Sequence, residues 1–490
     1  MKIPRVMSTQ HPDNVTIPFF SEKSVMEGED EVKEAFYSFS NLGVDEQLWD
    51  AEGKEVDSFV VKKLLSRYED YFRKNVLGKD KFLTFRVPNP DVEKNDGKIL
   101  LESLHSLPRN FDLGNLFYGK PIAPIFEAVL PMCSSEKSLI RIHEYYKQFV
   151  IKSQDRKLYD DDITLKEWVG PLQPNDIRVT PLFEMKDAIL NAHTYVEKYM
   201  KHEKIKEQQR VWFARSDPAL NYGSTATVLL VKVGLQRLAE LERKTSIEIH
   251  PILGCGSAPF RGNFTPLNAT KMLSGYPSMQ TFTVQSAFKY DYDPRHVIDA
   301  IEALKDGTRG NPMPIDEKVA LPYIEKLEKE YQKQVKLLIP TIHQMSMHIP
   351  QRRKRKLHIG LFGYSRASKD GLHLPRAIPF CASLYSLGLP PDVLGLSALS
   401  GKDLDKIREV YHNVDNDLAT AFSYYNKENL GYFPTSIQTA VKKGMALVDH
   451  TVNEEHAEMS SRILTAVKKN DHAGLHEGIL AAGRIRKFLG

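Results

Sequence analysis

The sequence predicts an α/β fold, a closed (β/α)8 barrel of the TIM type with additional α-helices. Three observations predict it. Short apolar runs rich in β-branched and aromatic residues recur along the chain and end in polar or glycine residues, the pattern of buried parallel strands. Amphipathic helical stretches lie between most of them, and alternating strands and helices imply parallel strands joined by crossover helices. The length, 490 residues, exceeds one average domain of about 100–200 residues. It fits one elaborated barrel, a fold that runs from about 200 to more than 400 residues with insertions.

The strand candidates, in order, are Phe82–Val87, Ile125–Leu130, Ile177–Phe183, Arg210–Ala214, Glu248–Gly254, Met279–Gln285, Leu357–Gly363 and Val393–Ala398. Between them, Val56–Val76 sets Val60, Leu64, Leu65, Tyr68, Tyr71 and Phe72 among charges. Gly223–Lys244 sets Val228, Leu229, Leu235 and Leu238 against Lys232, Arg237 and Glu240. Both spacings place apolar residues on one helical stripe. Asp316–Met347 is a long charged helical segment in which Pro322 and Pro340 are expected to break the helix. Lys402–Gly490 holds at least three further helical patterns and no strand. The chain thus reads as one domain, 1–490, with helical additions at approximately 288–350 and 400–490.

Composition excludes more than it assigns. Lys and Arg number 67 against 63 Asp and Glu, a formal charge of +4, far from the basic excess of proteins that coat nucleic acid. Charged residues at 27% and hydrophobic residues at 41% describe an ordinary globular protein. Cys133, Cys255 and Cys381 are too few and too widely spaced for a disulfide framework or a cysteine zinc site, and suit a reducing compartment. The start, Met1–Arg5, is too polar for a signal peptide, and no apolar run approaches the ~20 residues that span a bilayer. A cytoplasmic protein without a membrane partner is expected.

In such a barrel, catalytic residues sit at the carboxyl ends of strands and in the loops that follow. Ile177–Phe183 ends in Glu184, and Arg210–Ala214 runs into Arg215-Ser216-Asp217-Pro218. Singly, Glu184 and Asp217 read as caps of the helices behind them. Together they equally suit the oxygen ligands of Mg²⁺ or Mn²⁺. Glu248–Gly254 leads into Gly254-Cys255-Gly256-Ser257-Ala258-Pro259-Phe260-Arg261-Gly262. The glycines let backbone amides approach an anion, and Arg261 is a bidentate donor. The loop also reads as a flexible segment with one exposed arginine. Arg86, Arg366 and Arg376 close or follow other strands, where arginines suit phosphate or carboxylate. Ser8-Thr9-Gln10-His11-Pro12-Asp13-Asn14 has no core pattern but presents His11, whose side chain titrates near neutrality. A single histidine there is, alone, no sign of catalysis.

Three motifs are discounted. Gly114–Lys120 matches the start of a P-loop, but Pro121 stands where Ser or Thr would meet Mg²⁺, and no strand precedes it. The basic run Arg352–Lys356 reads as a solvated loop rather than a nucleic-acid site. His472 and His476 have helical spacing without the glutamate of a zinc motif and read as a surface pair.

Taken in order, these segments resemble the phosphoenolpyruvate carboxylase family in its short, archaeal-type form. STQHPDN (8–14) is similar to the family's histidine motif. PLFE (181–184) and SDPALNYG (216–223) are similar to its two metal-carboxylate segments. GCGSAPFRG (254–262) is similar to its glycine-rich loop, IGLFGYSR…LPRAIP (359–379) to a characteristic block, and AAG…LG (481–490) to its ending. The resemblance implies carboxylation of phosphoenolpyruvate by bicarbonate to oxaloacetate and phosphate, through carboxyphosphate and a metal-stabilised enolate. It implies Glu184 and Asp217 as ligands of Mg²⁺ or Mn²⁺, and no biotin. Arg261, Arg366, Arg376 and His11 become catalytic, with His11 as the base for carboxyphosphate breakdown. Arg86, Gly254, Gly256 and Gly262 become substrate-binding, and loop 254–262 a mobile lid. A homotetramer is implied as well. Two positions depart from the longer forms: Cys255 replaces a loop arginine, and Leu220 replaces the lysine of their SDxxKD segment. The competing reading from the same residues is another Mg-dependent barrel lyase acting on a phosphoenol or 2-oxo acid.

Overall fold

A computed structural model describes residues 3–52, 57–354 and 374–490. Eight parallel strands close a barrel in chain order: β1 (Val6–Ser8), β2 (Glu46–Asp50), β3 (Phe82–Arg86), β4 (Ile125–Leu130), β5 (Val179–Phe183), β6 (Gln208–Ala214), β7 (Glu248–Gly254) and β8 (Thr281–Val284). Closure runs through β8 and β1, with Val6 opposite Phe282 and Ser8 opposite Val284. The (β/α)8 fold is therefore as expected, but its strand set differs from the expected one.

Six expected strands are present. Val393–Ala398 is not one of them: it forms two 3₁₀ turns, Pro391–Val393 and Leu396–Ala398, packed among helices. Its apolar run is simply buried, and periodicity alone does not separate a buried strand from a buried turn. The expected strand Leu357–Gly363 lies outside the described residues. The two strands that complete the barrel, β1 and β2, were not expected. β1 has three residues, and β2 reads Glu46-Gln47-Leu48-Trp49-Asp50, with both terminal carboxylates buried.

Period-2 alternation sets the barrel's layers. On β6, Val211 and Phe213 belong to the large core under the outer helices, whereas Trp212 and Ala214 join Met7, Leu48, Val129, Leu182 and Ile252 in a separate inner cluster. Arg210, one step towards the amino end, donates to Glu46, Glu127 and Thr281. An apolar plug thus separates a charged floor from the carboxyl-end mouth.

The helix Glu317–Ser346 runs through both Pro322 and Pro340, against expectation. A proline inside a helix costs about 3 kcal/mol. Here the buried face from Ala320 through Leu327, Tyr331 and Leu338 to Met345 offsets it, packing on the helix Ser224–Thr245. The expected helix Val56–Val76 is two, Val60–Arg67 and Glu69–Lys74, broken at Tyr68. The helix Ala377–Ser386 packs on Ser216–Tyr222, Glu317–Ser346 and His472–Arg486. It thereby carries the distant segment around Arg376 to the mouth. Among the described residues no helix is long and apolar enough to cross a membrane.

Candidate active site at the barrel mouth

One cavity at the carboxyl ends of the strands is lined by His11, Glu52, Arg86, Leu182, Glu184, Trp212, Ala214, Ser216, Asp217, Gly254, Arg261, Gln285 and Arg376 with its two successors. Its volume is about 80 Å³. Larger hollows of about 660 and 610 Å³ lie against the amino ends of β3–β5 and of β7–β8. Size does not decide between them. The candidate catalytic groups converge on the small cavity, which lies where barrel sites form.

Each carboxylate is held by its strand end. Glu184, 5% exposed, accepts the Met132 N–H at 2.7 Å. It does not cap the helix Lys186–Glu203, whose cap residue is Met185. Asp217 sits in the first turn of Ser216–Tyr222 behind the cap residue Arg215, and makes no cap either. Both capping readings therefore fail, and both side chains face the same cavity. Three carboxylates, Glu52, Glu184 and Asp217, face three guanidinium groups, Arg86, Arg261 and Arg376, in its lining. The paired hard oxygen donors of Glu184 and Asp217 fit a divalent cation such as Mg²⁺ or Mn²⁺.

The arginines are not idle surface cations. Arg86 makes a two-pronged contact with Asp50, at 2.8 and 2.6 Å, and reaches Glu52 at 3.3 Å. Arg261 is 1% exposed. It donates to Ser216 Oγ, Asp13 Oδ2, the Gly490 oxygen and Gln285 Oε1 at 2.6–3.1 Å. A guanidinium has five N–H donors, so these four contacts leave one for a ligand. Burial pushes Arg376 below its usual basicity and Arg86 adds to this, while Glu52, Asp217 and Asp50 oppose it. Arg376 therefore stands in the same electrostatic field as Asp217. Arg366 lies outside the described residues.

The loop 254–262 is packed into the protein, and Arg261 is not the exposed arginine of a surface segment. Its residues are buried apart from the partly covered Gly254. Arg261 N–H donates to Ala258 O, Gly256 N–H to Arg261 O, and Phe260 N–H to Tyr385 Oη beneath the helix Ala377–Ser386. Gly254 lines the cavity; a Cβ there would sit 2.7 Å from Trp212 Nε1. Gly256 and Gly262 do not line it. A Cβ on Gly256 would strike the Arg261 guanidinium at 2.8 Å, and one on Gly262 would strike Cys255, at a φ of 135° that L-residues rarely adopt. These two glycines position Arg261. Burial pushes the Cys255 thiol up to about 12, which disfavours the thiolate.

His11 lines the cavity with Nδ1 2.9 Å from Thr9 Oγ1. Its segment is far from patternless surface, since Ser8, Thr9, Gln10, Asp13 and Asn14 are all buried. Asp13 ties it down by accepting from Arg261 and the Ala287 N–H. The described part of the basic run departs from a solvated loop at two positions. Arg352 and Arg353 are buried, Arg352 on the Asn14 and Val15 carbonyls and Arg353 on Glu31 and Glu34. Lys354, paired to Glu27, has the expected exposure, and 355–356 lie outside the described residues.

Sequence reasoning missed Glu52, Ser216, Trp212 and Gln285. Gln285 ends an expected strand and was within reach of the strand-end rule. Glu52 follows β2, which was not recognised. Trp212 is 2% exposed, and its Nε1 meets no acceptor among the described residues.

A closed parallel barrel with paired carboxylates, arginines and a histidine at its carboxyl-end mouth defines a barrel enzyme acting on small anions. Comparison with known proteins narrows that class. The family model for phosphoenolpyruvate carboxylase matches residues 3–490. Phosphoenolpyruvate carboxylases of Methanospirillum hungatei, Methanothermobacter thermautotrophicus and Pyrococcus furiosus are 49%, 48% and 50% identical to this chain, each over 490 residues and the full length of both sequences. The chain belongs to the phosphoenolpyruvate carboxylase family, in its short archaeal-type form, and is an enzyme of that type.

Proposed function

We propose that the protein converts phosphoenolpyruvate and bicarbonate to oxaloacetate and phosphate, an anaplerotic carbon fixation. The observation that carries this reading is the convergence of His11, Arg86, Glu184, Asp217, Arg261 and Arg376, from six separate stretches of chain, on one cavity. Two anions must be brought together there, which demands fixed positive charge. Arg376 and the remaining donor of Arg261 bind phosphate and carboxylate oxygens, with Arg86 beside them and Arg366 assigned to the same task. Glu184 and Asp217 hold Mg²⁺ or Mn²⁺, which when bound supplies Lewis-acid charge to substrate oxygens.

A bicarbonate oxygen attacks the phosphoryl phosphorus, and the bond from phosphorus to the enol oxygen breaks. Carboxyphosphate and the enolate of pyruvate result. His11 takes the carboxyl proton of carboxyphosphate as it splits into CO₂ and phosphate. The enolate carbon then adds to CO₂. Leu182, Trp212 and Ala214 form an apolar wall that supports exclusion of water, which would protonate the enolate to pyruvate.

The test is a coupled assay with malate dehydrogenase and NADH. Bicarbonate-dependent and Mg²⁺-dependent NADH loss on adding phosphoenolpyruvate is expected, and its absence sinks the reading. A homotetramer belongs to the same reading. Exposed Phe149, Leu158, Tyr159, Ile163, Trp168 and Val169 support it, as an apolar surface that a lone chain leaves to water. A monomeric mass by native mass spectrometry would remove that part alone.

A further inference from the structure

The contact behind His11 is a hydroxyl. Thr9 is fully buried, and its Oγ1 has His11 Nδ1, at 2.9 Å, as its one hydrogen-bond partner among the described residues. The backbone of Thr9 is clamped on both sides. Its N–H donates to Val284 O at 3.0 Å, continuing the β1–β8 ladder, and its carbonyl accepts from Lys289 Nζ at 3.1 Å. Lys289 also donates to Ser8 Oγ and to Glu34, and Glu34 accepts in turn from Arg353 at 2.5 Å. Four buried charged and polar groups therefore fix where the hydroxyl stands.

A hydroxyl is both donor and acceptor, whereas a carbonyl or carboxylate only accepts and an ammonium only donates. For Nε2 to take a proton at the cavity, the neutral ring must carry its own proton on Nδ1, and Oγ1 accepts that N–H. Once both ring nitrogens are protonated, Oγ1 still accepts from Nδ1–H. We propose that Thr9 is a positioning residue for His11, holding the imidazole in one orientation in either protonation state while Nε2 serves the cavity. The hydrogen bond keeps its direction as Nε2 gains and loses a proton, and the ring does not move.

This inference rests on His11 carrying a proton in the reaction, and the experiment separates the two. Thr9→Val keeps the side-chain shape and removes only the hydroxyl; Thr9→Ser keeps the hydroxyl. With phosphoenolpyruvate, bicarbonate and Mg²⁺, kcat, KM and the ratio of oxaloacetate to pyruvate are measured for each. Thr9→Val is expected to lower kcat by roughly 10–100-fold, part of the 10²–10⁴ that positioned proton transfer contributes. KM for phosphoenolpyruvate stays within about twofold, since no bound substrate group is lost. The pyruvate share rises, and Thr9→Ser restores most of kcat and of the product ratio. In a His11→Asn background, Thr9→Val leaves the residual phosphate release unchanged. Wild-type kcat and product ratio in Thr9→Val overturn the inference, as does an equal loss in the His11→Asn background, which marks a merely structural role. Full oxaloacetate formation by His11→Asn alone overturns the reading of His11 beneath it.

Discussion

At the floor of the barrel, Arg210 reaches Glu46 through both terminal nitrogens and Glu127 through one, with Thr281 as a further acceptor. Two carboxylates there share one guanidinium. Burial raises the Glu127 carboxyl to about 7, with Glu46 adding to the shift and Arg210 opposing it. Burial beside Glu46 thus favours the protonated form of Glu127. At the mouth, three carboxylates meet three guanidinium groups, but the groups come from separate stretches of chain and line a cavity. The same side-chain chemistry yields a closed ion cluster at one end and a ligand-accepting site at the other. The difference is geometric. Floor residues sit on adjacent rungs of a rigid sheet and saturate one another, whereas mouth residues project from strand ends into a gap that a substrate and cation can fill.

Mutations at the two ends should therefore separate activity from stability. The largest expected effect is at the mouth. His11→Asn should lower oxaloacetate formation by about 10²–10⁴ with an unchanged melting temperature, measured by the coupled assay and calorimetry. A matching fall in melting temperature would erase the contrast. At the floor, Arg210→Met should destabilise the fold by about 3–5 kcal/mol, because it strands two buried carboxylates. Denaturant melts check this, and kcat per folded molecule should hold. Returning to the mouth, Asp217→Asn should raise the Mg²⁺ concentration needed for activation at least 10–100-fold, read from a metal titration of activity. An unaltered titration would remove Asp217 as a ligand.

Two smaller effects sharpen the comparison. Trp212→Phe deletes an indole N–H that meets no acceptor among the described residues. It should raise KM for one of the two substrates roughly 5–10-fold, the worth of one ordinary hydrogen bond. Unchanged KM for both would leave Trp212 as wall alone. Glu127 provides a pH signature at the floor. Its folded value, about 7, lies above the ordinary 4.5, so between these values the folded state binds more protons than the unfolded one. That contribution to stability is present in acid and is lost as pH rises towards 7. Glu127→Gln should remove this dependence. The melting temperature of the variant relative to the parent should rise by about 1–2 °C from pH 5 to pH 8, a modest shift because the chain is long. A constant difference across that range would deny Glu127 its raised value.

How much of this was legible in the sequence depends on what each strand shows its surroundings. β5, β6 and β7 are apolar enough to be seen, so Glu184, Asp217, Gly254 and Arg261 follow from the strand-end rule. β2 was hidden because its carboxylates face inwards. A strand that buries charge looks, residue by residue, like a loop. With β2 unseen, Asp50 and Glu52 could not be recognised as the partners of Arg86. His11 was legible only through its motif, since nothing local announces that Ser8–Asn14 is buried.

The sequence by itself determined the barrel class, the family and the strand ends that carry the chemistry. Hydrophobic period and motif order are local properties that survive without coordinates. Only the tertiary structure decided which charges are spent on one another and which face a substrate. Arg210 and Arg261 are both buried arginines from neighbouring strand segments. One is absorbed by Glu46 and Glu127, while the other keeps a donor for the cavity. Pairing depends on distances between residues far apart in the chain, such as the 248-residue separation of Asp13 and Arg261. The same physics took Arg353 of the basic run into a buried ion pair with Glu31 and Glu34 and packed Arg261 of the glycine loop inside the protein.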